Sequence, residues 1–145
     1  MNSNIIKRES SLKIYTDGAS RGNPGPAAYA FIFVQGDDVI HKGFGYIGTA
    51  TNNVAEYQAI INALKAAEKF HKGYLQIFSD SNLAINQINK KWKINYPHLL
   101  KLRNEVYKLT ERYEKVDFFH ISRNNPYIKK CDELCNKKLD AEGFK

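Results

Sequence analysis

"SLKIYTDGASRGNPGPAAYAFIFVQ", residues 11–35, is the stretch on which the fold reading turns. SLKIYTD (11–17) alternates and is rich in β-formers, so it reads as a strand. It closes on an acid, Asp17. Three glycines and two prolines follow before apolar residues resume in AAYAFIFVQ (27–35), a second strand. A turn needs Gly or Pro, but not this many, and it has no need of a carboxylate at the end of an apolar strand. The loop therefore reads as a segment stripped of bulk beside an acid.

Working outward, GDD makes a hairpin turn and VIHKGFGYIG (39–48) returns antiparallel. Gly43 and Gly45 weaken this third strand, as at a bulge or an edge. From 53 to 71 the pattern becomes helical, with Ile60, Ala63, Leu64, Ala67 and Phe70 on one stripe. Thr51, Asn52 or Asn53 is the N-cap, and Gly73 stands where a helix closes. YLQIFSD (74–80) is a fourth strand, again ending on an acid. SNLAINQIN (81–89) is a short helix capped by Ser81 or Asp80. After the basic-aromatic connector KKWKINYPH, the spacing of Leu99, Leu102, Val106, Leu109 and Tyr113 predicts another amphipathic helix. KVDFFHIS (115–122) is the fifth strand, and a last helix covers about 127–141. The order β β β α β α α β α predicts an α/β fold: a mixed five-stranded sheet, its first three strands antiparallel, flanked by helices.

Composition narrows the class. A chain of 145 residues with 43% hydrophobic and 12% aromatic residues is expected to form one globular domain, here 11–145, behind a polar tail, 1–10. MNSNIIKRES has neither the apolar core nor the cleavage site of a signal peptide, and no run reaches the roughly 18 apolar residues of a membrane span. Cys131 and Cys135, four apart in a helix, place two thiols on one face rather than in a disulfide. The expectation is a reduced, cytoplasmic setting. Lys and Arg outnumber Asp and Glu by 22 to 15, for a formal charge of +7, which favours polyanion partners, nucleic acid first.

Four acids stand out. Glu56 precedes Ile60 by four residues and Leu64 by eight, so it lies on the apolar stripe, in the first turn of its helix, facing the sheet. Asp80 ends one strand, Asp17 another, and Asp132 sits in the last helix. Each has a local explanation: the helix dipole for Glu56, an N-cap for Asp80, turn chemistry with Gly18 for Asp17, and a solvated surface for Asp132. Their conjunction is harder to dismiss. If the first and fourth strands are parallel neighbours, Asp17 and Asp80 end at the same sheet edge, where ligands gather in folds of this type. Four acids around one point repel one another unless pKa values rise or dications enter. A purely carboxylate donor set suits Mg²⁺ or Mn²⁺ rather than zinc.

TDGASRGNPGPAAYA, TNNVAEYQAIINAL, IFSDSNLAINQI and KKCDELCNKKLD, in this order and spacing, resemble the ordered sequence blocks of type 1 ribonuclease H, from Leu12 to Asp140. The resemblance implies a ribonuclease H-like fold. It also implies two-metal hydrolysis of the RNA strand of an RNA–DNA hybrid, leaving 5′-phosphate and 3′-hydroxyl ends. The family's four metal-binding acids fall on Asp17, Glu56, Asp80 and Asp132, with Asp17 bridging two Mg²⁺ ions, for which Mn²⁺ can substitute. Double-stranded RNA stays open as a second partner, and a monomer is expected.

An enzyme selecting RNA must touch the minor groove, where the 2′-hydroxyls lie. Gly18, Gly22 and Gly25 let backbone groups approach sugar and phosphate closely, and Asn23 adds an amide that both donates and accepts. By resemblance, Thr51, Asn52 and Asn53 contribute phosphate and sugar contacts. Asn82 stands where relatives often carry Gln. Lys90, Lys91 and Lys93 around Trp92 either grip a backbone or form a solvated connector with Trp92 packed on the core. The chain is too short here for the basic protrusion of some relatives. The loop before Asp132 has no His where many relatives have one; His120 comes earlier, on the fifth strand. Arg123 can hold a phosphate there but cannot act as a base. Two alternatives remain: a catalytically weak or inactive hybrid-binding module on the same fold, and another phosphoryl-transfer enzyme of the wider superfamily, such as a transposase or integrase core.

Overall fold

The computed structural model describes residues 11–144, so the expected tail, 1–10, lies outside the described residues. The elements are β1 (Leu12–Ser20), β2 (Gly25–Gln35), β3 (Asp38–Ala50), α1 (Asn52–Ala67), β4 (Tyr74–Ser79), α2 (Asn82–Ile88), α3 (Pro97–Thr110), β5 (Lys115–His120) and α4 (Pro126–Ala141). The five strands form one sheet in the order β3-β2-β1-β4-β5. β1–β2 and β2–β3 are antiparallel, while β1–β4 and β4–β5 are parallel.

Side-chain alternation sorts the core into two layers. Leu12 and Ile14 of β1, Phe31 and Phe33 of β2, and Leu75 and Ile77 of β4 face α1, α2 and α3, which supply Tyr57, Ile60, Leu64, Ile85, Leu99 and Val106. The opposite face presents Tyr15, Ala28, Ala30 and Ile32 to Ile128, Cys131, Cys135 and Leu139 of α4. Each fully buried Leu or Ile contributes about 1.5–3 kcal/mol relative to exposure. Both cysteines are free and buried among these residues. Their thiols lie 3.5 Å from the Tyr15 carbonyl and 3.6 Å from that of Asp17, and burial pushes both pKa values up.

The structure departs from the sequence expectation at several ends. β1 does not stop at Asp17: the antiparallel ladder with β2 runs on through Gly18–Tyr29, Ala19–Ala28 and Ser20–Ala27, the pairing with β2 overriding the weak strand propensity of these small residues. The parallel ladder with β4 does stop there, at Thr16–Ser79. α1 ends at Ala67, four residues early, and the N–H groups of Phe70 and His71 both bond the Ala67 carbonyl. Gly73 is therefore not a helix stop. It precedes β4, and its carbonyl accepts from Lys115 N–H at 3.3 Å. β3 is an edge strand, but its irregularities face Ala27/Ala28 and Phe33/Val34; the Phe31 ring lies over Gly43, where any Cβ would collide with it. Trp92 is half exposed, not packed into the core. Among the described residues, no helix is long and apolar enough to cross a membrane.

Candidate active site

Parallel pairing of β1 with β4 carries both chains to the same sheet edge, where Asp17 and Asp80 follow the last paired residues, Thr16 and Ser79. Thr51 caps α1, its hydroxyl accepting from Val54 N–H at 3.2 Å. The helix therefore begins at Asn52 and has no acid in its first turn, which places Glu56 one turn deeper than the sequence reading had it. Glu56 is thus not an answer to the helix dipole. It reaches the sheet instead, where its Oε1 accepts from Gly18 N–H at 2.6 Å. Gly18 is what allows this approach: a Cβ there would collide with the Ala55 carbonyl group and come within 2.6 Å of Glu56 N. The spareness of Gly18, read from sequence as clearance for substrate, is filled by the helix.

Asp17, Glu56 and Asp80 each bring a carboxylate oxygen within 4.8 Å of the others, a grouping able to hold a metal ion. Asp132, on α4, lines the same cleft of about 640 Å³ but lies outside that close group. Burial pushes the Asp17 carboxyl up to about 8, with the charge of Asp80 adding to it and hydrogen bonding from Glu56 opposing it. Burial, then the charges of Asp17 and Asp80, pushes Glu56 well above the usual carboxylate range. Asp132, although exposed, is also raised, by partial desolvation in the cleft and then by Asp80. Asp80 is not the cap of α2; Ser81 is, its hydroxyl accepting from Ala84 N–H at 3.1 Å. Asp80 Oδ1 is buried with no hydrogen-bond donor. A buried carboxylate oxygen without a donor, beside two more carboxylates, is a costly arrangement that a cation would relieve. All donors are hard oxygens, so the residues fit a divalent hard cation.

This edge belongs to a chain whose residues 9–139 match the RNase H family model. The chain belongs to the ribonuclease H family. It is 38% identical over 134 residues to ribonuclease HI of Halobacterium salinarum, covering 92% of this chain and 66% of that one. It is 37% identical to a bifunctional protein of Mycobacterium tuberculosis, covering 88% of this chain and 35% of the relative. The ribonuclease H chain thus spans about two thirds and about a third of these relatives. Among solved structures, RNase H1 of H. salinarum superposes with a TM-score of 0.86, covering 90% of this chain and 98% of that one. LC11-RNase H1 in complex with an RNA/DNA hybrid superposes with a TM-score of 0.83 at 31% identity, covering 90% and 98%. The type 1 resemblance and the fold expected from sequence both hold.

The remaining sequence-selected residues divide between two depressions. Gly18, Asn52 and Arg123 line the acid cleft. Asn23, Thr51 and Asn53 line a second, smaller one with Tyr96, His98 and Leu99. The two are tied together, because Asn23 Oδ1 accepts from Asn52 N–H at 3.1 Å while Asn52 Oδ1 accepts from Ser20 N–H at 3.0 Å. Asn82 lines neither; its Oδ1 accepts from Asn86 Nδ2 at 2.7 Å. His120 ends β5 opposite Ser79, exposed. Sequence reading missed Ser20, Lys129 and Glu133 in the acid cleft, and Tyr96 and His98 in the second. Lys129 and Glu133 carried a signal in the spacing of Lys129, three before Asp132 and four before Glu133 on one helix. Tyr96 and His98 flank Pro97, which begins α3.

Proposed function

We propose that this chain is a metal-dependent endoribonuclease that hydrolyses the RNA strand of RNA–DNA hybrids and leaves 5′-phosphate and 3′-hydroxyl ends. The observation that carries this is the set of three carboxylates within 4.8 Å at the end of the β1–β4 ladder, one of them with a buried oxygen lacking a donor. Family membership and the likeness to LC11-RNase H1, whose structure holds an RNA/DNA hybrid, support the substrate class.

Asp17, Glu56, Asp80 and Asp132 would hold two Mg²⁺ ions, for which Mn²⁺ can substitute. When bound, such ions supply charge neutralisation at the scissile phosphate and a water acidic enough to attack at neutral pH. The protein's own part is preorganisation. The Gly18 N–H fixes the Glu56 carboxylate, and the sheet fixes Asp17 relative to Asp80. Arg123 donates to phosphate oxygens at the mouth of the cleft but has no acceptor atom with which to remove a proton. The hydrogen bond from Asn52 N–H sets the Asn23 amide, leaving its amino group as a donor to the minor groove. Thr51 and Asn53 meet the sugar-phosphate backbone in the second depression. Asn82, a shorter amide than Gln, lines neither depression and its Oδ1 is engaged by Asn86.

Labelled RNA–DNA hybrid, duplex DNA and duplex RNA, each incubated with Mg²⁺ or with EDTA, test the reading. Cleavage of the hybrid RNA strand with Mg²⁺ alone is expected; the duplex RNA arm reports whether the second partner is accepted. Cutting of duplex DNA, or activity that survives EDTA, refutes it. Asp17→Asn separates enzyme from binding module: it should lose cleavage and keep hybrid affinity.

A further inference from the structure

Arg21 is the first residue after β1, at the start of the glycine loop. Its own N–H donates across the loop to the Pro26 carbonyl at 2.8 Å, so the side chain leaves from a fixed base. The guanidinium reaches α4. Nη1 donates to Asp140 Oδ1 at 2.8 Å, and Nη2 donates to both the carbonyl oxygen and Oδ1 of Asn136, each at 3.2 Å. Asn136 Nδ2 in turn donates to the Asp132 carbonyl oxygen at 3.1 Å and to Asp132 Oδ2 at 3.4 Å. Asp132, Asn136 and Asp140 are spaced by four and form one row along the helix.

The chemistry of these partners allows one arrangement. A guanidinium only donates and a carboxylate only accepts, so the Asn136 amide must turn its oxygen to Arg21 and its nitrogen to Asp132. We propose that Arg21 and Asn136 are positioning residues for Asp132, holding the fourth carboxylate in the cleft by a guanidinium–amide–carboxylate relay that starts on the glycine loop. Asp132 needs such a restraint. It is exposed, stands apart from the three clustered acids, and feels the like charge of Asp80. An unrestrained helical Asp would swing towards solvent under that repulsion. The 3.4 Å contact is long by itself, but the amide is clamped at its other end by the charged donor and by the bond to the Asp132 backbone. The proposal rests on the reading of the acid cluster as a divalent-cation site, and it adds a consequence: the loop that precedes Asn23 and the acid on α4 are mechanically joined.

Calorimetric titration of Mg²⁺ into the metal-free full chain tests it, with melting in EDTA measured alongside. The variants are Asn136→Ala, Arg21→Gln and, as a control, Lys138→Ala, which breaks the 2.9 Å Lys138–Glu142 pair on the same helix. Asn136→Ala and Arg21→Gln should each weaken Mg²⁺ binding about tenfold, as loss of a partner behind a metal ligand does. Their half-saturation of cleavage by Mg²⁺ should rise in step, with kcat largely restored at saturating metal. Lys138→Ala should bind Mg²⁺ like the unaltered chain even where its melting temperature falls as far. Unchanged Mg²⁺ affinity in both relay variants overturns the inference, as does equal weakening by Lys138→Ala. If the unaltered chain takes up no Mg²⁺, the functional reading itself fails and this inference falls with it.

Discussion

Replacing Asp17 by Asn removes an ionisable carboxyl from the most crowded point of the sheet edge while keeping the side chain's shape. The carboxyl is buried, and its pKa is lifted to about 8 by burial, Asp80 and Asp132, against an opposing hydrogen bond from Glu56. A raised carboxyl favours the folded state where it is protonated. That contribution is complete below the ordinary carboxylate range and is lost as pH rises towards 8. At pH 7 Asp17 is ionised in the unfolded chain but still largely protonated in the fold, and this difference costs the metal-free fold up to about 4 kcal/mol. Part of this is shared with Glu56 and Asp80, so Asp17→Asn should recover roughly half. For a chain of this size, 2 kcal/mol raises the melting temperature by about 6 °C. The assay is thermal unfolding at pH 7 and near pH 3, in EDTA and in excess Mg²⁺. In EDTA at pH 7 the variant should melt above the unaltered chain. Near pH 3 the two should converge. Mg²⁺ should stabilise the unaltered chain by mass action and the variant much less. A variant that melts at or below the unaltered chain in EDTA at pH 7, or keeps its advantage in acid, refutes the electrostatic account of the cluster.

Gly18→Ala places a methyl against the Ala55 and Glu56 backbone, so α1 must shift; a loss of about 1–3 kcal/mol in urea unfolding is expected, together with weaker Mg²⁺ uptake. Normal Mg²⁺ uptake would show that Glu56 is not placed by that contact. Arg123→Ala should raise KM for the hybrid several-fold with kcat nearly kept, since Arg123 lines the cleft but stands outside the acid cluster; a collapse of kcat alone contradicts this role. Cys131 and Cys135 should react with a thiol reagent only after denaturation, because both are buried and burial keeps their thiols protonated; rapid labelling of the native protein counts against the α4 packing.

Much of the architecture was legible because its signals are local. Alternation in SLKIYTD and AAYAFIFVQ, the stripe from Ile60 to Ala67, and the spacing of Leu99, Leu102, Val106 and Leu109 all act within a few residues. Helix and strand ends were less legible. β1 outruns Asp17 because Gly18, Ala19 and Ser20 take their strand geometry from β2, not from their own propensities. α1 stops short of Gly73 because its last carbonyls are satisfied by the turn at Phe70 and His71.

The acids show the same division. Each was visible in sequence as a carboxylate out of place, and the basic charge pointed to a polyanion. Which of them share one point depended on β4 inserting beside β1 in parallel and on α1 landing against Gly18. The separation of Asp132, the pairing of Asn23 with Asn52 and the relay from Arg21 through Asn136 arise the same way. Residue types and their periodicity settle what a short segment can do, because backbone propensity and amphipathicity act over a turn or a pleat. Distances between carboxylates far apart in the chain are set by strand order and helix docking, and only the folded sheet buries Asp17 and Glu56 beside Asp80 and so raises the pKa of both.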